Sequence, residues 1–204
     1  EHLCSDVMQV FGTGGAFAAL RVDGSVITWG NPVLGGNCSA VRRDLNSDVT
    51  EVVGTFSAFA VVKADGAVIT WGEPQDGGDC SAVGHHLASG VRLVARTNFA
   101  FAAVNADGSV ITWGNLDYGG DSSAVRAHLC SDVQHVVGTE FAFAAVKFAG
   151  SVITWGHKDC GGNSAAVQQF ISCDEVQVAG TQSAFAALKR DGTIITWGDA
   201  FVGG

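Results

Sequence analysis

Tryptophan stands at positions 29, 71, 113, 155 and 197, each 42 residues after the last, and no insertion or deletion interrupts that register. A fixed period of this length marks a repeat architecture and overrides any local motif in deciding the fold. Every copy also keeps Ala-Phe-Ala (Ala16, Phe17 and Ala18 in the first), Ile-Thr-Trp-Gly (27–30) and a Gly-Gly pair (Gly35 and Gly36). The units therefore run 1–36, 37–78, 79–120, 121–162 and 163–204 in one repeat domain.

Within a unit the residue types predict three strands and a short helix. "DVTEVV" (48–53) ends at Gly54 and reads as a first strand. "SAFAVV" (57–62) is apolar on both faces, as a strand sandwiched between layers must be. "ADG" (64–66) supplies an Asp-Gly hairpin turn, where glycine takes a positive φ without steric cost. "AVITWG" (67–72) is a β-branched third strand. In "DCSAVGHHLAS" (79–89), Asp79 is placed to cap a helix whose Ala82, Val83 and Leu87 share a face. Asn37, Asp121 and Asn163 hold the same cap position in the other complete copies.

Sheets with two apolar faces cannot bury them alone. Packing five around an axis, as in a β-propeller, covers all of them together. The expected fold is thus mainly β: a closed five-bladed propeller-like ring of 42-residue repeats, each with three strands plus a short helix. The ends support closure, because "EHLCSDV" (1–7) resumes the phrase that Gly203-Gly204 leaves off.

Charged residues make up only 15% of the 204, against roughly 25% in an average soluble domain, so much of the chain faces protein. The net charge is −9 and no run of Lys or Arg occurs, which excludes nucleic-acid binding by a basic footprint. No apolar run approaches the roughly 18 residues of a spanning helix, so the chain is expected to be soluble rather than membrane-spanning. A place at the periphery of a membrane complex stays open. The chain begins at Glu1 and its sole methionine is Met8, so either a targeting segment has been removed or a longer chain continues upstream.

The stretch "GT-FAFAAV-ADGSVITWGN" resembles the repeat of the regulator-of-chromosome-condensation family, over about 25 of every 42 residues in all five copies. That resemblance implies a propeller. The Gly-Gln-Leu-Gly that follows Trp-Gly in that family is replaced here by Gly-Gly-Asp-Ser-Ser and its variants, and no residue for nucleotide exchange on a small GTPase can be matched. In wording the units are also similar to tandem "VITWG…GGDSSAV" proteins of dinoflagellate algae. This implies an algal source, a photosynthetic host complex and a plastid location.

No catalytic, cofactor or metal site is expected. Five equivalent tryptophans fit indoles packed between sheets with their N–H groups satisfied. His2, His86 and His128 share a column with Asp44 and Phe170, and equivalent positions on separate blades lie too far apart to ligate one ion. The six cysteines form no repeated pair and are expected to be free thiols. "GTGGAF" (12–17) lacks the Gly-Lys-Ser/Thr of a phosphate loop and reads as a turn. No Ser/His/Asp set, Cys-x-x-Cys motif or enforced carboxylate pair occurs.

What varies is the segment after Trp-Gly: NPVL, EPQD, NLDY, HKDC and DAFV. Loops on a rigid frame are where specificity can change without disturbing the core. Val33, Leu34, Asp76, Asp117, Tyr118, His157, Phe201 and Val202 are accordingly the expected partner-binding residues. The chain reads as a non-enzymatic protein-binding scaffold, an accessory subunit of a larger assembly. The alternative is a lectin with sugar sites in the blade loops, although five equal sites would require the loop residues to repeat.

Overall fold

The computed structural model describes residues 6–204, apart from the side chains of 175 and 176. It contains five three-stranded antiparallel sheets, each built from one unit with its strands in chain order. In the third unit the strands are Val91–Arg96, Ala100–Asn105 and Val110–Gly114. Phe101 pairs with Trp113 and Ala103 with Ile111 across the second and third strands. The first strand carries an irregularity between Val91 and Leu93, and the same break recurs at the equivalent place in every sheet.

The expected hairpin turn is present. Gly108 has φ +78°, and the Asp107 carboxylate accepts the Ser109 N–H at 2.9 Å. A Cβ on Gly108 would stand 2.6 Å from the Asp132 nitrogen in the next unit, so this glycine is required by close approach as well as by φ.

The core lies between sheets and not within any one of them. Ala58, Ala60, Val62 and Val68 of the second unit pack against Val94, Phe101, Ala103 and Trp113 of the third. The same positions meet at the other three junctions, where Phe59, Phe143 and Phe185 take the place of Phe101. The alanines of the second strand let the sheets approach closely, and the phenylalanine fills the space that remains.

The connecting segments differ from expectation in their caps. They form the short helices expected there, of 3-10 type, at Ser81–His86 and Ser123–His128, but with Cys80 and Ser122 at the caps in place of Asp79 and Asp121. Those aspartates accept the N–H of Ser81 and Ser123, two residues on, each at 2.8 Å. Asn37 and Asn163 do the same for Ser39 and Ala165. Such short turns satisfy an Asx side chain before any α-helical ladder can begin. The connection then folds back on the third strand, the carbonyl of Leu87 accepting the Val68 N–H at 2.9 Å.

The closed ring is the second correction. Phe17 is 48% exposed, whereas Phe59, Phe101 and Phe143 are fully buried. At the other end, a Cβ on Gly203 would meet nothing within 4 Å, while one on Gly35, Gly77, Gly119 or Gly161 would strike a phenylalanine ring. Among the described residues, then, the first and last sheets are not packed on one another as neighbours are. The five sheets form an open arc. Complementary sequence at the two ends does not set the angle between adjacent sheets, and that angle decides whether an arc closes.

Candidate functional site

The variable segment after Trp-Gly folds as one tight turn in each unit, seen at Pro74–Asp76, Leu116–Tyr118, Lys158–Cys160 and Ala200–Val202. In three of the units, at Asn31, Asn115 and Asp199, a side chain at its start holds it in place. Asn115 accepts the Asp117 N–H at 3.1 Å and Asp199 accepts the Phe201 N–H at 2.9 Å. Glycine ends each turn in the left-handed region, with φ +106° at Gly119. The frame is therefore fixed on both sides, and the two or three residues between are free to vary.

The turn does not stand alone. The hydroxyl of Thr97, in the Gly-Thr or Arg-Thr turn joining the first and second strands, donates to the Tyr118 carbonyl at 3.0 Å. Thr13, Thr55, Thr139 and Thr181 make the equivalent bond in the other units. Two turns about 20 residues apart in sequence thus form a single tip. The residues after those threonines also link one unit to the next through the backbone. Phe56 N–H donates to the Asn98 carbonyl at 2.7 Å, and Asn98 N–H donates to that of Glu140 at 2.8 Å.

This pairing brings together aromatic side chains that the sequence keeps far apart. Phe99 lies 5.1 Å from Tyr118 and 6.0 Å from Phe141 between ring centroids, and Phe56 is 6.3 Å from Phe99. Tyr118 is 5.2 Å from Phe141 and 6.0 Å from His157. A strip of five rings therefore crosses the three middle units along the face formed by these tips. Phe56 is exposed and the others are half-buried. A cleft of about 590 Å³ opens beside it, between Tyr118 and His157, with Trp155 and Lys158 in its wall. The Nδ1 of His157 is buried there without a hydrogen-bond partner among the described residues.

Of the expected partner-binding residues, Tyr118 and His157 lie in this strip. Asp76 and Asp117 sit on the same turns, the former accepting a short hydrogen bond from the buried Ser57 hydroxyl. Val33 and Leu34 lie on the first unit's turn, Val33 exposed and Leu34 half-buried. Phe201 and Val202 form the last turn, and Phe201 is 99% exposed. The reading of the sequence missed Phe56, Phe99 and Phe141. Their two columns also vary between copies, as Gly-Gly, Phe-Ser, Asn-Phe, Glu-Phe and Gln-Ser, and that variation was the available signal.

The remaining candidates take structural places. Trp71, Trp113, Trp155 and Trp197 each donate from Nε1 to a glycine carbonyl of the preceding unit, at 2.9–3.1 Å. His86 and His128 are exposed, and the described residues gather no set of three His, Cys, Asp or Glu that could hold a metal. His2 and Cys4 lie outside the described residues; the other five cysteines are free. Among the described residues no helix is long and apolar enough to cross a membrane.

No family model and no curated protein sequence matches the chain. Solved structures do. Human WBSCR16 superposes with a TM-score of 0.61 at 19% identity, over 94% of this chain and 61% of that one. Prp20p of Saccharomyces cerevisiae, the yeast RCC1, gives 0.59 at 14% identity, over 94% and 57%. The CRINKLY WD40 ectodomain of the Arabidopsis thaliana receptor kinase ACR4 gives 0.54 at 15% identity, over 96% and 66%. The fold is of the propeller type. The chain spans less than two thirds of each of these structures, so it corresponds to part of such an array.

Proposed function

We propose that the chain is a non-enzymatic scaffold that binds another protein through the tip face, where the Thr turns and the turns after Trp-Gly meet. The observation that carries this reading is the aromatic strip from Phe56 through Phe99, Tyr118 and Phe141 to His157. It lies on turns whose residues differ between copies, whereas residues serving the frame repeat. Interface energy concentrates in partly buried aromatic anchors, and tyrosine is among the commonest of them. Glu73, Asp76, Asp117, Asp159 and Asp199 lie on the turns after Trp-Gly and Glu140 follows Thr139 in the Thr turn, while Lys158 and Arg96 are the basic residues of these turns. The complementary partner therefore presents apolar side chains bordered by Lys and Arg. Propellers of similar fold are described with protein partners: Prp20p with Gsp1p, histones and Kap60. Such a role fits an accessory subunit of a larger assembly, and the algal wording of the repeat extends it to a photosynthetic one.

The test compares partners captured from the native source by the wild-type chain and by Phe56→Ser and Tyr118→Ser. Each variant should weaken binding of the recovered partner by about tenfold or more, equivalent to about 1.4 kcal/mol. Unchanged binding, or a footprint centred on 38–46 and 80–88, would place the contact on the wrong face. A glycan array that captures the chain, with loss of signal in these same variants, would replace the protein partner with a sugar.

A further inference from the structure

The hairpin turn that joins the second and third strands lies at the end of each sheet away from the tip face. In four units this turn holds an aspartate whose carboxylate accepts the N–H two residues on. Asp23 accepts from Ser25, Asp65 from Ala67, Asp107 from Ser109 and Asp191 from Thr193, each at 2.9 Å. Two residues before the aspartate stands a cation in three of these copies, Arg21, Lys63 and Lys189. Hydrogen bonds from Ser25 and, after them, the charge of Arg21 hold the Asp23 carboxyl below its ordinary value; Thr193 and then Lys189 do the same for Asp191. The turn thus carries its own anion beside a cation.

The fourth unit departs from this pattern. Its turn reads Phe148-Ala149-Gly150, so the carboxylate is lost while the cation, Lys147, is kept. The backbone is unchanged: Gly150 has φ +80°, within the 76–86° of Gly24, Gly66, Gly108 and Gly192. Ala149 lies in the wall of a cleft of about 510 Å³ at the junction of the fourth and fifth units, with Gln134, Lys147, Phe148, Asp174 and Arg190. Two cations against one carboxylate make this wall positive in a chain of net charge −9. Lys147 donates to the His128 carbonyl at 3.0 Å and keeps its remaining donors. Among the described residues no carboxylate pairs with it or with Arg190. Phe148 is 69% exposed and adds an aromatic face where the other turns carry Val22, Ala64, Ala106 or Arg190.

We propose that this cleft binds a small aromatic carboxylate from solution, its anionic group taking the place of the missing turn carboxylate between Lys147 and Arg190 and its ring packing on Phe148. The ligand is a carboxylate because four copies of the same turn already place one there. Charge-assisted hydrogen bonds from Lys and Arg hold such a group well. The ligand is small because the cleft falls within the roughly 300–1,000 Å³ of small-molecule pockets. The site is independent of the tip face, which the second strand separates from it.

Backbone amide shifts of the nitrogen-15-labelled chain test this, with 2-naphthoate as the probe. Residues 147–151 and 190 should shift and saturate in the millimolar range, the order of affinity that so few atoms supply. 2-Naphthamide keeps the rings and loses the charge, and propanoate keeps the charge without rings. Each should bind at least about tenfold more weakly. Ala149→Asp restores the residue found in the other four turns, so it should keep the wild-type melting profile. Its own carboxylate should weaken naphthoate binding by about tenfold or more. Arg190→Gln, at an exposed position, should weaken binding similarly and also leave the melt unchanged. Absence of a saturable shift up to about 10 mM overturns the proposal. So does equal binding of either control compound, or unchanged binding in either variant.

Discussion

The indole N–H of Trp113 donates to the carbonyl of Gly77, 36 residues earlier, at 3.1 Å. The Phe101 ring stacks on that indole at 5.3 Å and touches the same glycine. One glycine therefore accepts a hydrogen bond, supplies a left-handed turn and leaves room for an aromatic ring. Any side chain there disturbs all three.

Gly77→Ala should accordingly destabilise the chain by about 2–5 kcal/mol, combining the left-handed penalty with displacement of a packed ring. Gly84 has open space around the position of a Cβ and no positive φ. Gly84→Ala should be neutral, or stabilise by up to about 1 kcal/mol. Urea unfolding of the two variants in parallel decides this; equal losses would show that the junction glycine has no special role.

Phe101 is fully buried, and Phe101→Ala should cost roughly 3–5 kcal/mol as a large-to-small core change. His86→Ala, on an exposed turn, should stay within about 0.5 kcal/mol. Matching shifts in denaturant midpoint would mean that the buried layer is wrongly assigned.

Two residues in one column of the first strands should respond to pH in different ways. Burial, and secondarily the charge of Arg92, lower the pKa of His135. The folded state thus favours the neutral ring, so stability holds above the unfolded value of about 6.5 and is lost as pH falls through it towards the folded value. Burial raises the Glu51 carboxyl. Its protonated form is favoured on folding, so stability declines as pH rises from the unfolded value of about 4.3 through the raised one. His135→Gln should flatten the loss of stability between about pH 7 and pH 5, and Glu51→Gln should stabilise the chain at neutral pH. Thermal melts at several pH values check both, and parallel curves for variants and wild type would count against these assignments.

Cys130 and Cys173 are exposed, while Cys38, Cys80 and Cys160 are half-buried. A thiol reagent should label the first two quickly and the other three more slowly in the folded chain, since access governs the rate as much as thiolate character does. Mass spectrometry after timed quenching reads the two phases. Absence of labelling at Cys130 or Cys173 before unfolding would contradict the exposure seen here.

Much of the unit was legible before any tertiary contact was considered. The Asp-Gly turn, the β-branched third strand and the apolar second strand are local signals, and repetition at 42 residues made each of them five times more secure. The turn after Trp-Gly was visible as the place where copies differ, and Tyr118 and His157 were found there. The short helix of the connecting segment was legible, but its cap was misplaced by one residue, because an aspartate followed by small residues serves a helix cap and an Asx turn equally well.

The sequence by itself determined where strands and turns fall, and which positions must be small or aromatic, because backbone propensity and period act over a few residues. Tertiary structure alone decided which unit each tryptophan bonds to, and that the Thr97 turn lies against Tyr118, so that Phe56, Phe99 and Phe141 join one strip. It also decided that the arc stays open between Phe17 and Gly203. Closure depends on a small rotation added at every junction, fixed by how Phe101 and its equivalents fill the space between sheets. No local pattern of residues records that sum.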